Sequence, residues 1–196
     1  MFSEMRSTVG IPKGEDILDY IYALPEKEQQ EAHDKIEAVE RKAMKEQKPQ
    51  AGLISLMEYL DKKRIRKGIC TRNFNTPVTH LLTNHLPNHI DPFSPIVTRD
   101  FRPAKPSPAG ILHIAEQWGL PNTQRELPAP TRPIDLIMVG DSIDDIIAGY
   151  EAGAATVLVR SEGKEDLERD ARTDVVINRL DELIEILESG FVGRDR

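Results

Sequence analysis

The chain has 196 residues, 39% of them hydrophobic and 30% charged. This composition sustains a packed core, excludes wholesale disorder, and leaves room for one α/β domain with a modest insert rather than two full domains. A formal net charge of -7 makes a poor non-specific partner for nucleic acid or anionic membrane. Small phosphorylated ligands stay open, because a local cation can reverse the field at one site. The single cysteine, Cys70, permits no intramolecular disulfide, which fits a reducing compartment such as the cytosol. No apolar run approaches the ~20 residues of a membrane span. Met1 to Gly10 lacks the apolar stretch of a secretory signal.

Residues Met1 to Arg64 read as helical, with no convincing strand. Ile17, Leu18, Ile21 and Leu24 follow a helical stripe. Pro25 suits the first turn of a second helix running toward Lys48, in which Ala32, Ile36, Val39 and Met44 give one narrow apolar stripe. Such a helix is expected as the solvated arm of a helical hairpin. A third helix begins over Leu53 to Leu60, after Pro49 and Gly52. From Ile65 the pattern changes: apolar runs at 65–70, 95–98, 134–139, 156–159 and 175–177 alternate with amphipathic segments near 77–86, 108–118, 143–152, 164–171 and 180–187. This alternation predicts a parallel sheet covered by helices. Pro121 to Pro133 is proline-rich without periodicity and is expected as a surface loop, and 190–196 as a frayed tail.

Three places carry chemistry. The first is Leu136-Ile-Met-Val-Gly-Asp-Ser-Ile-Asp-Asp-Ile-Ile-Ala-Gly149, an apolar strand running through Gly140 into Asp141 and then a helix with Asp144 and Asp145. Ligands bind at the carboxyl ends of strands in such sheets, and hard carboxylate oxygens suit magnesium. A helix cap by Asp141 and Ser142 is the competing account, but it explains one acid and not three. The second is Ile69-Cys-Thr-Arg-Asn73, where Thr71 and Asn73 can hold phosphate oxygen, or simply make a turn. The third is Arg102-Pro-Ala-Lys-Pro-Ser-Pro108, whose prolines restrain Lys105 just before a helix. A restrained lysine can neutralise phosphate; a solvated lysine in a proline-rich loop is the plainer alternative.

A strand-end Thr, a Lys before a helix and a later Gly-Asp-x-x-x-Asp occur in the order of the second, third and fourth motifs of the haloacid dehalogenase (HAD)-like hydrolase superfamily. The chain resembles that superfamily over roughly Ile65 to Leu187, and most closely its phosphoglycolate-phosphatase-like branch. The resemblance implies a Rossmann-like three-layer α/β fold with a parallel sheet (residues 65–189) and a small N-terminal helical cap (1–64). It implies a magnesium-dependent phosphatase acting on a small phosphomonoester through an aspartyl-phosphate. By position, Thr71 and Lys105 would be catalytic, and Thr71, Arg72, Asn73 and Lys105 would bind phosphate. Asp141 would bind magnesium, Asp145 would ligate it directly or support it through water, and Asp144 is a weaker outer candidate.

One departure stands out. The superfamily's first motif, Asp-x-Asp-Gly-Thr at the end of its first strand, is absent from this sequence. Glu4, Glu15 and Asp16 lie in no apolar strand, so no nucleophile is assigned. In that fold the first strand lies between the strands ending at Thr71 and Asp141. Its loss leaves two edges of unpaired backbone groups, each costing on the order of 1–3 kcal/mol. The expectation is therefore a truncated or catalytically impaired form, with an apolar strand ending in Asp-x-Asp encoded upstream. The alternative is a non-catalytic relative that binds a phosphorylated ligand or partner. A response-regulator receiver domain accounts for neither the helical insert nor the Gly-Asp-x-x-x-Asp spacing.

Other features carry less. The basic run from Asp61 to Lys67 reads as the solvated end of a helix. His85 and His89 are separated by Pro87, which argues against a shared zinc-binding face. Cys70 reads as a small buried residue and Trp118 as a helix-to-sheet packing group.

Overall fold

A computed structural model describes residues 2–15, 17–46, 48–120 and 135–193. Helices fill the first third: α1 (Phe2–Val9), α2 (Ile17–Tyr22), α3 (Glu26–Glu46) and α4 (Leu53–Lys62). The Pro25 carbonyl accepts the backbone N–H groups of Glu28 and Gln29, so α3 starts against the residue whose ring presets its own φ. Ala32, Ile36 and Val39 bury against Met5, Ile11, Ile17 and Ile21. The narrow stripe of α3, expected on a solvated arm, is thus the inner face of a three-helix cluster. Its many Glu, Lys and Gln residues are the outer face.

Helix α4 behaves differently. It precedes residue 64, yet Leu56, Met57 and Leu60 pack with Val157, Val159, Ile177 and Leu183. By packing, α4 thus joins the sheet and the helix carrying Leu183 rather than the cluster of α1, α2 and α3. The basic run after α4 also differs from expectation at one residue. Lys67 is buried, bonded to Asp61 and poised over the Phe93 ring, because its aliphatic stem enters the core and Asp61 meets its charge there.

The remaining elements alternate as the apolar runs predict: β1 (Ile69–Cys70), α5 (Asn75–His85), β2 (Ile96–Val97), α6 (Ala109–Gln117), β3 (Ile137–Gly140), α7 (Ile143–Ala152), β4 (Ala155–Val159), α8 (Glu165–Glu168), β5 (Val175–Ile177) and α9 (Glu182–Ser189). The pairings are parallel, with Ile69 opposite Ile96, Ile137 opposite Ala155 and Val157 opposite Val175. This is a Rossmann-like α/β fold with N-terminal helices. Its sheet is divided: β1 pairs with β2, and β3, β4 and β5 form a second group in that order. Among the described residues no strand joins β1 to β3. A cleft of about 1230 Å³ lies there, lined by Ile69 and Cys70 on one side and Ile137, Met138 and Val139 on the other. Helix α7 lies close on β3 because Gly149 has no side chain; a Cβ there would sit 2.7 Å from that of Met138. The predicted loop at 121–133 lies outside the described residues, as do 194–196 of the predicted tail. No described helix is long and apolar enough to cross a membrane.

Candidate functional site

Parallel strands present their carboxyl ends to one rim of the sheet, and the residues singled out from the sequence lie there. Thr71 follows β1. Its N–H donates to the Val97 carbonyl at 2.9 Å, which continues the β1–β2 ladder, and its Oγ1 accepts the Asn73 N–H at 3.1 Å. The Asn73 carbonyl in turn accepts the Arg99 N–H, closing the loop over the end of β2. Arg99 is buried with its guanidinium over the Phe74 ring.

Lys105 reaches across the division in the sheet. Its Nζ donates to the Cys70 carbonyl at 2.7 Å and forms an ion pair with Asp145 Oδ1. Both side chains of that pair are only 9% exposed, which keeps the interaction out of bulk solvent. Pro103 and Pro106 flank Lys105 in the chain, and the Cys70 carbonyl and the buried carboxylate hold its ammonium.

Asp145 has a further task. Its Oδ2 accepts the backbone N–H groups of Asp141 (3.2 Å) and Ser142 (3.1 Å) and the Ser142 hydroxyl (2.7 Å). Ser142 Oγ accepts the Asp145 N–H, so the two residues form a reciprocal capping box at the start of α7. The cap expected at Asp141 and Ser142 therefore consists of Ser142 and Asp145. Gly140 is required for this closure: a Cβ there would lie 2.4 Å from the Asp145 Cβ. Its close approach is to Asp145 itself.

Asp141 is left with an outward carboxylate, its side chain 65% exposed. Lys164 lies beside it, with Nζ donating to the Asp141 carbonyl at 2.7 Å and standing 3.4 Å from Oδ2. Asp144 pairs with Arg72, tying the turn after β1 to the first turn of α7. Thr71, Arg72, Asn73, Lys105, Asp141, Asp144 and Asp145 thus lie on one connected rim. Lys164 was not singled out from the sequence, although it follows β4 and every loop after a parallel strand opens on this same rim. Burial, with Asp145 adding to it and Lys105 opposing, pushes the Cys70 thiol up, away from nucleophile chemistry.

Among the described residues no group of three or more His, Cys, Asp or Glu side chains gathers to hold a metal ion. Magnesium needs less: one or two carboxylates, completed by water and phosphate oxygens. Asp141 fits that reduced set as the exposed ligand. Both oxygens of Asp145 already accept donors, which fits a supporting place behind it.

The profile of the haloacid dehalogenase-like hydrolase family matches residues 3–159. An uncharacterized hydrolase of Saccharomyces cerevisiae is 45% identical over 193 residues, spanning 96% of this chain and 84% of the yeast protein. A haloacid dehalogenase-like hydrolase domain-containing protein of Arabidopsis thaliana is 31% identical over 185 residues, spanning 92% of this chain and 69% of that protein. Among solved structures, a hydrolase from Pseudomonas syringae superposes with a TM-score of 0.68 at 22% identity, covering 96% of this chain and 89% of that one. A HAD hydrolase from Entamoeba histolytica superposes with a TM-score of 0.64 at 19% identity, covering 92% and 84%. The order of motifs, the parallel fold with its N-terminal helices, and these likenesses agree: the chain belongs to the haloacid dehalogenase-like hydrolase family.

Proposed function

We propose that this protein is a magnesium-dependent phosphatase of the phosphoglycolate-phosphatase-like branch, acting on a small phosphomonoester through an aspartyl-phosphate. In this reading the 196 residues contain no assigned nucleophilic aspartate, and the chain as given is catalytically impaired unless a further strand supplies one. The observation that carries the reading is the single bonded rim that joins Thr71, Lys105, Asp145 and Asp141 across a divided sheet.

The Thr71 hydroxyl donates to a phosphoryl oxygen, and the Arg72 guanidinium and Asn73 amide add donors on the same side. Lys105 spreads positive charge between phosphate and nucleophile. Asp141 holds magnesium, which when bound supplies charge neutralisation to the phosphoryl oxygens. Asp145 fixes the Asp141 backbone and the Lys105 ammonium in one geometry. Lys164 orients Asp141 from the solvent side. The cytosol is the compartment of this reading, supported by the single cysteine.

Magnesium-dependent phosphate release from an aryl phosphate tests it. The 196-residue chain is expected to be inactive, and the chain extended by its upstream coding sequence active. Hydrolysis by the 196-residue chain alone contradicts this account of the nucleophile. A stop codon directly upstream, with no apolar strand ending in Asp-x-Asp, defeats it. A second reading, binding without turnover, is favoured by the saturation of the rim carboxylates, Asp144 by Arg72 and Asp145 by Lys105. It gains if tungstate binds and the extended chain still releases no phosphate.

A further inference from the structure

We infer that Phe74 and Arg99 are positioning residues, which seat the N-terminal helical cluster on the Thr71–Asn73 loop and so make the anion-holding geometry of that loop depend on where the cluster lies. Phe74 follows Asn73 directly and leads into α5 with an extended backbone, φ -67° and ψ 170°. Its side chain packs against the cluster that holds Ile17, Ile21 and Ile36. The other half-buried apolar side chains packed on that cluster, Val9, Tyr20 and Leu24, come from the helical segment itself. Among the described residues, Phe74 is thus the one half-buried apolar side chain from beyond residue 64 that packs on it. Helix α3 also lies against α5, so the two parts of the molecule meet at the residue that ends the loop.

Arg99 meets the same ring from the end of β2. The residue is only 4% exposed, and its guanidinium carbon lies 5.4 Å from the ring centroid. Its backbone N–H donates to the Asn73 carbonyl at 3.0 Å, while the Asn73 N–H donates to Thr71 Oγ1 at 3.1 Å. Asn73 is therefore bonded through both of its backbone groups, one to the hydroxyl that faces the anion and one to the residue that stacks on Phe74. Three contacts in series join the helices to that hydroxyl: cluster to ring, ring to guanidinium, and Arg99 through Asn73 to Thr71.

The parts of this series are stiff. Packed side chains pass on small displacements, because close-packed interiors leave few voids to absorb them. A planar guanidinium stacks on an aromatic face in a way that the compact ammonium of lysine does not. A misplacement of ~1 Å far from a reacting group can cost on the order of 100-fold, so a small shift of the helices has a readable consequence at the rim. The coupling rests on the anion-binding reading of the rim and adds a control to it: helices that supply none of the proposed anion donors set how well those donors are placed.

The test uses the full 196-residue chain and tungstate as a phosphate-shaped anion, with affinity read by calorimetry. Phe74→Leu keeps an apolar side chain and removes the ring, Arg99→Lys keeps the charge and removes the plane, and Phe74→Tyr keeps the ring. The Kd for tungstate is expected to rise about tenfold in the first two and to stay within about twofold of the natural chain in the third. Ile36→Ala, on α3, should weaken tungstate about threefold in the natural chain and leave it unchanged in the Phe74→Leu chain, where the joint is already broken. Unchanged tungstate affinity in Phe74→Leu and Arg99→Lys, with only their urea midpoints lowered, marks a packing role and overturns the inference. So does an equal effect of Ile36→Ala in both backgrounds. Should Phe74→Leu not fold, Arg99→Lys and Ile36→Ala in the natural chain decide the matter, and an unchanged Kd in either one is fatal. Absence of tungstate binding by the natural chain is fatal as well, while phosphate release by the upstream-extended chain would leave the phosphatase reading standing. Tungstate binding coupled through Phe74, with no phosphate release by the extended chain, supports the joint while the phosphatase reading fails.

Discussion

The two halves of the sheet are built by different means. In β3, β4 and β5 the ladder itself does the holding: four residue pairs join β3 to β4 and three join β4 to β5, over a core in which Val157, Leu158 and Ile177 are almost wholly buried. In β1 and β2 only two pairs exist. That half is instead fastened by side chains. Lys67 bonds to Asp61, Arg66 stacks on Trp118 and bonds to its carbonyl, and the Trp118 indole donates to the Ser94 carbonyl at 2.8 Å. A short ladder with one edge facing a cleft is a weak element, because each strand gains from having two neighbours. The half that carries Thr71 therefore leans on side-chain fasteners, whereas in the other half such bonds, as between Thr156 and Asp174, add to a longer ladder. Lys105, through Asp145, and Arg72, through Asp144, tie the two halves together at the rim.

Removing the Lys105 tie has the largest expected effect. Lys105→Ala leaves Asp145 buried without its cation and is expected to cost on the order of 3–5 kcal/mol, read from urea unfolding. A loss under 1 kcal/mol would mean that the halves hold together without it. Leu158→Ala, in the middle of β4, should cost on the order of 3 kcal/mol by opening a cavity. Its native-state Trp118 emission should stay unchanged, because the damage lies in the other half; a shifted emission would show the halves to be coupled.

Asp61→Ala should cost on the order of 2 kcal/mol by stripping buried Lys67 of its partner, and here Trp118 emission should move. This fastener is also sensitive to pH. Burial alone would raise the Asp61 carboxyl, but the Lys67 ammonium and the Asp91 N–H outweigh it and hold the group below the ordinary aspartate range. Its stabilisation is present above the unfolded-state pKa of about 3.9 and is lost as pH falls through the lower folded value. Urea midpoints between pH 6 and pH 3 should therefore fall more for the natural chain than for Asp61→Asn; parallel curves would remove Asp61 from the acid response. The smallest change is Ser142→Ala, expected to cost about 1 kcal/mol through the capping box on α7. Its unfolding midpoint sharpens the contrast, since the loss should be confined to the β3 half.

Much of this architecture was legible in the chain. The five apolar runs became the five described strands, and the amphipathic segments between them became helices, because burial on one or both faces imposes its period on the residues themselves. The rim was legible too, since a Thr, a Lys and a Gly-Asp-x-x-x-Asp must each follow a strand to reach the same edge. The role of Asp145 was less so. Four residues from Asp141, it reads as a second outward ligand, whereas the turn at Gly140 folds it back onto the backbone it follows. Lys164 escaped notice because nothing near it in sequence marks it; its partner stands 23 residues away.

The sequence by itself determined the kind and order of the elements, the helical start, and which residues reach the rim. The tertiary structure alone decided that α4 joins the α/β core, that Lys67 is buried and that Asp145 braces a turn. The physical reason is the same in each case. Periodicity records which face of an element is apolar, but the partner of that face, and the donors that meet a given carboxylate, are fixed only when distant segments close around them.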